Sequence, residues 1–200
     1  MMKRQLNRVL TKGIMLIGAL GIALSINESN STAQAKSTPR ISVTSSKGHN
    51  IKLPYASKQT RTIGKSTQLD EYIDDVTIKV KSVTSYKLKP NKYGKKTVVR
   101  LNILAKSTGA NHDDYAMFTS SAWRGKAGYL STNNGYRLTQ AVNTKKGPSD
   151  FPVTLSNKDT RALNLNFSSK SNLSLNEVSH GIVHFYYSVG GAALAQHFSY

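Results

Sequence analysis

Two places in the sequence set histidine beside groups that could do chemistry. His112 is followed directly by Asp113 and Asp114, so an imidazole and two carboxylates are available for general acid/base work. That work needs groups that converge on one substrate, which neighbouring positions in a sequence do not establish. His180 and His184 lie in a segment with the composition of a strand, where they would share a face about 13 Å apart. One metal ion cannot bind both at that separation, because its ligands lie within about 2 Å of it.

Other chemistries are excluded by residue type. The 200-residue chain has no Cys, which excludes disulfides, zinc–thiolate sites and thiol nucleophiles. A Gly-x-Ser-x-Gly nucleophile motif and a phosphate-binding glycine loop are also absent from the sequence. We therefore predict no catalytic residues, no cofactor, no metal and no enzymatic activity. A hydrolase remains the third alternative, should His112, Asp113 or Asp114 converge with a serine.

Charge is the strongest signal in the composition. The chain has 28 Lys and Arg against 10 Asp and Glu, a net charge of +18. Residues 36–69 hold seven basic residues and no acidic one, and Ser and Thr are frequent there. This composition predicts a basic, mostly irregular arm with one or two short strands, or alternatively a solvated linker. The predicted polyanion-binding residues are Lys36, Arg40, Lys47, Lys52, Lys58, Arg61 and Lys65.

The charge changes sign immediately after the arm. Asp70, Glu71, Asp74 and Asp75 follow one another within six residues, but they lack the spacing of a calcium-binding loop. An acidic surface turn at the start of a domain is the better interpretation. Further along, Trp123 lies beside Arg124 and Lys126, which predicts a loop contact with a ligand. The alternative is a core tryptophan with basic neighbours.

The N-terminus has the parts of a secretory signal peptide. Four basic residues precede an uncharged apolar run over residues 13–26, and Ala33 and Ala35 stand where a signal peptidase reads small residues. We expect cleavage after Ala35, leaving a mature chain of net charge +15. An uncleaved anchor is the alternative, although a membrane span needs about 20 apolar residues.

Beyond residue 75 the apolar residues alternate with polar ones, which is typical of antiparallel strands with one buried face. The predicted core consists of Val76, Ile78, Val80, Val99, Leu101, Ile103, Leu163, Leu165, Phe167, Val183, Phe185 and Tyr187. Asn134-Gly135 predicts a hairpin, and a four-residue loop over 132–135 is preferred to a two-residue one. The pattern predicts an all-β fold, an antiparallel β-sandwich, with a small β-barrel as the alternative.

The strands at 75–80 and 98–103, the run at 163–167 and a closing strand pair resemble the small secreted Gram-positive Ig-like domains of the immunoprotective-extracellular type. The resemblance covers about residues 75–200 and implies an Ig-like sandwich and an extracellular location. It brings no catalytic residues. Many such proteins are anchored through a lipidated Cys, which this chain lacks.

These observations predict three segments: a signal peptide at 1–35, a basic arm at 36–69 and an Ig-like domain at 70–200. The predicted function is a secreted, non-enzymatic binding protein, in the medium or associated with the wall, whose partners are anionic cell-wall polymers or other extracellular polyanions. Nothing indicates sequence-specific nucleic-acid binding or a transmembrane anchor after cleavage. The alternative is an effector or inhibitor that recognises a host or competitor protein through sandwich loops. Deletion of residues 36–69 is expected to leave a folded domain that no longer binds.

Overall fold

A computed structural model describes residues 37–44, 49–69, 76–108, 115–117, 128–143, 153–156, 158–189 and 192–200. The strands are β1 Arg40–Thr44, β2 Asn50–Gln68, β3 Val76–Leu88, β4 Thr97–Ser107, β5 Tyr115–Met117, β6 Tyr129–Thr132, β7 Arg137–Asn143, β8 Val153–Leu155, β9 Thr160–Ser169, β10 Gly181–Val189 and β11 Ala192–Ser199. Helix α1 spans Leu175–Val178. The predicted all-β class is confirmed, whereas the Ig-like sandwich stays a prediction. None of the helices in the described ranges is long and apolar enough to cross a membrane.

The strands pair in the order β1-β2-β3-β4-β9-β7-β6-β10-β5-β8, and β11 pairs with β10. Every pairing is antiparallel. Strands β2 and β11 lie far apart in this order, yet Lys65 Nζ of β2 donates a hydrogen bond of 2.9 Å to Ser199 Oγ of β11. The sheet therefore curves until these two strands meet through their side chains.

The main core lies on the concave side of this sheet and matches the predicted alternation. Val99 and Leu101 are fully buried in it, as are Leu165 and Phe167 on the neighbouring strand β9. Eleven of the twelve predicted core residues are buried, and the side chain of the twelfth, Tyr187, lies outside the described residues. The predicted register of β4 is confirmed, because a shift of one residue would have turned its apolar set outward.

A second apolar cluster covers the opposite face of β3 and β4. It consists of Ile41, Val43, Leu53, Tyr86, Leu88 and Val98. Neighbouring residues of a strand point to opposite faces, so Val98 enters this cluster while Val99 enters the main core. Here the prediction of a mostly irregular arm is wrong: residues 40–44 and 50–68 are strands, and their apolar residues are needed to cover β3 and β4. The compact unit begins at Thr38, not near Asp70.

Hydrogen bonds of Arg100 hold β1 against the face of β3 and β4 that the second cluster covers. Arg100 Nε of β4 donates to Asn166 Oδ1 at 2.9 Å, and its Nη2 donates to the Ser42 carbonyl at 3.1 Å. The guanidinium also lies over the Tyr86 ring, with Cζ 5.6 Å from the ring centroid. This arginine of β4 thus contacts residues of three other strands, β9, β1 and β3.

The β6–β7 hairpin differs from both predicted loops. Leu130 lies opposite Leu138, which leaves a three-residue connection over 133–135. The amide of Gly135 donates to the Thr132 carbonyl at 3.0 Å, and Gly135 has a φ of 80°. A turn followed by a left-handed residue is the usual form of a three-residue hairpin loop. Gly135 is the third residue of this loop, whereas the preferred four-residue loop would have placed it fourth and the two-residue loop second.

Candidate functional site

A groove lies between the β1–β2 hairpin and the turn that joins β3 to β4. Its volume is about 540 Å³. The lining residues are Arg40, Asn50, Ile51, Lys52, Leu53, Pro54, Pro90, Asn91, Lys92 and Tyr93. We call this site the β1–β2 groove. Two of the seven predicted polyanion-binding residues, Arg40 and Lys52, lie in it.

The β1–β2 pairing positions these two cations. Arg40 lies opposite Pro54 and Lys52 lies opposite Ser42, so both belong to the same hairpin. The Tyr55 amide donates to the Pro39 carbonyl at 3.0 Å, which extends the pairing past Arg40. The apolar residues of the hairpin pack against β3 and β4, while Arg40 and Lys52 remain exposed. The hairpin therefore presents its charges from an ordered edge.

The turn at residues 90–94 forms the other side of the groove, and Asn91 shapes it. The Asn91 side-chain amide donates to the Lys89 carbonyl at 3.0 Å and to the Lys95 carbonyl at 2.7 Å. Its Oδ1 accepts from the Tyr93 amide at 3.2 Å. Gly94 ends the turn with a φ of 61°, which glycine adopts at little cost. The Lys89 amide donates to the Pro54 carbonyl at 3.0 Å, which ties the turn to β2.

The chemistry of the groove is cationic and aromatic. Arg40, Lys52 and Lys92 contribute three positive charges, and no residue of the lining is acidic. Tyr93 is 41% exposed, and Lys92 Nζ lies 5.3 Å from its ring centroid. Guanidinium and ammonium groups donate charge-assisted hydrogen bonds to phosphates and carboxylates, and an exposed ring can stack on a sugar. The groove suits an anionic, sugar-containing ligand.

The remaining predicted cations are not gathered there. Lys58 and Arg61 are exposed along β2, opposite Tyr86 and Val83 of β3. Lys65 donates to Ser199 and so has a structural contact. Lys36, Lys47, Trp123, Arg124 and Lys126 lie outside the described residues, as do His112, Asp113 and Asp114.

Two groove residues, Lys92 and Tyr93, are not among the binding residues that the sequence predicts. The sequence marks residues 90–94 as a turn, but only the strand pairing shows that this turn lies beside β1 and β2. A second cavity of about 360 Å³ lies between β2, β3 and α1. Its lining includes both Lys87 and Glu177, so its charge is balanced and it offers a weaker attraction to polyanions.

The sequence predicts that His180 and His184 share a strand, but β10 begins at Gly181 and only His184 belongs to it. His184 Nε2 lies 3.0 Å from Ser131 Oγ, within hydrogen-bond distance. Burial lowers the pKa of His184, and the neighbouring His197 and Arg137 lower it further. A serine–histidine nucleophile is assisted by an acid that stabilises the imidazolium, and these basic neighbours have the opposite effect. Among the described residues no three His, Asp or Glu side chains are grouped to hold a metal.

Comparisons with known proteins add little. No protein-family model and no curated protein matches the chain. A crystal structure of a functionally unknown protein from Listeria monocytogenes EGD-e is similar over 70% of this chain and 87% of that chain, with 10% identity and a TM-score of 0.37. A likeness this distant carries no argument about function.

Proposed function

We propose that this protein is a non-enzymatic, secreted binding protein that attaches to anionic polymers of the bacterial cell wall through the β1–β2 groove. The observation that carries the proposal is the convergence of Arg40, Lys52 and Lys92 beside exposed Tyr93, with no acidic residue in the lining. Repeating phosphates along a polymer would meet cations at several points, and each added contact multiplies the affinity. The resemblance to secreted Ig-like domains and the signal-peptide features of residues 1–35 support the extracellular location.

The wider charge distribution supports the same conclusion. The described residues include eighteen Lys and Arg but only two acids, Asp159 and Glu177. Asp159 pairs with Arg161 at 2.7 Å, and Glu177 accepts hydrogen bonds from Ser174 at the start of α1. Both acids are engaged away from the groove lining. The surrounding positive field would steer a polyanion toward the molecule, and the groove would supply the close contacts.

The test compares two double variants that remove equal charge. Lys52→Ala/Lys92→Ala removes two groove cations, and Lys79→Ala/Lys106→Ala removes two exposed cations from β3 and β4. Binding to soluble poly(glycerol phosphate) and to purified walls is measured over a range of salt concentrations. We expect the groove variant to lose about tenfold or more in affinity, and its salt slope to fall by about two, since each phosphate contact contributes roughly one unit.

The control variant should stay within about threefold of the wild type, because only long-range attraction is reduced. Equal losses in both variants would show that net charge, and not the groove, determines binding. Wild-type binding that does not change with salt would contradict the polyanion proposal. Recovery of one protein from host fluid, stable in high salt, would favour the effector or inhibitor alternative.

A further inference from the structure

A row of stacked planar side chains crosses the face of the sheet opposite the main core. Arg137 of β7 places its Cζ 3.7 Å from the ring centroid of Tyr129 on β6. Tyr129 stacks on His184 of β10, with centroids 4.2 Å apart and planes 14° apart. His184 in turn lies 6.0 Å from His197 of β11. We call these four residues the stacked row.

The strand register makes the row continuous. Tyr129 lies directly opposite both Thr139 and His184, and His184 lies directly opposite His197. Side chains that face one another across neighbouring strands lie about 5 Å apart at Cβ, close enough for rings to stack. The order of the strands therefore places a guanidinium, a phenol and two imidazoles side by side.

Two lysines lie at one end of the row. Lys95 Nζ donates to Thr139 Oγ1 at 3.4 Å, which places its ammonium one strand away from Tyr129. Lys170 follows Ser168 by two residues, and Ser168 pairs with Thr139. Burial lowers the pKa of Lys95, and the like charge of Lys170 lowers it further.

The described residues provide no compensating acid for this cluster. Asp159 and Glu177, the two acids of the described part of the chain, are engaged with Arg161 and Ser174. A cationic ligand at His184 and His197 would be repelled by Arg137 and the lysines. An anion would instead reduce the repulsion among them. A guanidinium that lies over a ring still presents its N–H donors to a ligand, which suits a tetrahedral anion with several acceptor oxygens.

We propose that Lys95, Lys170 and Arg137 form a binding site for a phosphate dianion, either inorganic phosphate or a phosphomonoester. Thr139 Oγ1 accepts from Lys95, and Ser131 lies directly opposite Arg137 in the strand pairing. Three cations match a dianion better than the single charge of each phosphodiester in a polymer does. None of these three cations lines the β1–β2 groove, so the proposal does not depend on polymer binding.

The test is a titration of the full chain with inorganic phosphate, in which the NMR signals of the His184 and His197 rings are monitored. A titration with sodium chloride at equal ionic strength is the control. We expect a saturable shift with phosphate that chloride does not produce. Glycerol 1-phosphate in a second arm and poly(glycerol phosphate) in a third distinguish a monoester and a polymer from the free ion. Absence of a saturable shift with both phosphate and the monoester would overturn the proposal.

The phosphate affinities of substituted proteins test which residues form the site. Arg137→Gln and Lys95→Gln are each expected to weaken phosphate binding by about tenfold, and Lys79→Gln on β3 is the charge-matched control. The proposal is wrong if all three variants bind like the wild type or lose affinity equally. If Arg137→Gln changes the thermal midpoint of unfolding, the phosphate affinity of Lys95→Gln alone tests the proposal. Lys52→Ala/Lys92→Ala should bind phosphate normally, so this proposal and the groove proposal can fail separately.

Discussion

Gly128 lies where the backbone has no room for a side chain. A Cβ at this position would collide with the Gln140 side chain and lie 2.9 Å from the His184 carbonyl oxygen. The Gly128 carbonyl also accepts from the Gln140 amide at 3.1 Å, so the backbone cannot move away freely. We expect Gly128→Ala to lower the free energy of unfolding by about 1–3 kcal/mol, as overpacking does.

Urea denaturation checks this prediction, with Gly64→Asn as the control. Gly64 has a φ of 75°, a Cβ added there would meet no atom within 4 Å, and Asn tolerates the left-handed region. The control should change stability little. If Gly128→Ala unfolds at the same urea concentration as the wild type, the Gln140 side chain moves away without cost.

His184 should make stability depend on pH near neutrality. Its pKa in the folded chain is lowered below the ordinary value by burial, by His197 and by Arg137. The unfolded chain therefore takes up this proton first as the pH falls. Stability decreases as the pH drops through about 6.5, the ordinary histidine pKa, and levels off below the folded pKa.

The measurement compares the wild type with His184→Gln by urea denaturation between pH 8 and 5, in a buffer free of phosphate. We expect the variant to lose part of the downward slope below about pH 6.5. An identical slope in both proteins would mean that other groups cause it. Added phosphate should lessen the wild-type loss, because a bound dianion favours the imidazolium.

At the scale of elements, β1 and β2 are structural parts of the fold, which changes the expected result of deleting residues 36–69. The deletion would uncover Tyr86, Leu88 and Val98, which are buried by the β1–β2 hairpin. Exposure of each large apolar side chain costs about 1.5–3 kcal/mol, and domains of this size are stable by only about 5–15 kcal/mol. The truncated chain should therefore lose cooperative unfolding.

Thermal denaturation followed by circular dichroism tests this, with a chain that begins at Ser37 as the control. The control retains every described strand and should unfold cooperatively, like the full chain. Cooperative unfolding of the chain that lacks residues 36–69 would show instead that residues 70–200 fold as an independent domain.

The strands that could be predicted are those with one buried face. In β4 and β9 the alternation of apolar residues assigns the face correctly, because the pleat has a period of two. Most of β2 lacks this signal: residues 56–62 are exposed on both faces, and their pairing with β3 holds them in the sheet. The stacked row could not be predicted from the sequence either, because Tyr129 and His184 meet only through a strand order that no local pattern encodes.

At the scale of the whole molecule, the excess positive charge opposes compaction. Eighteen Lys and Arg face two acids in the described residues, and one of these acids, Asp159, already pairs with Arg161. Salt screens repulsion between exposed charges over about 10 Å at 0.1 M. We expect the thermal midpoint to rise by a few degrees between low and moderate sodium chloride, since about 1 kcal/mol corresponds to ~2–4 °C at this size.

The control is Lys79→Gln/Lys106→Gln, which removes two exposed charges outside both proposed sites. This variant should start from a higher midpoint at low salt and gain less from added salt, because fewer repulsions remain to be screened. Sodium phosphate at matched ionic strength should raise the wild-type midpoint further than chloride, through binding to the folded state. A midpoint that falls with salt would show that favourable ion pairs, and not repulsion, dominate the electrostatics of the folded chain.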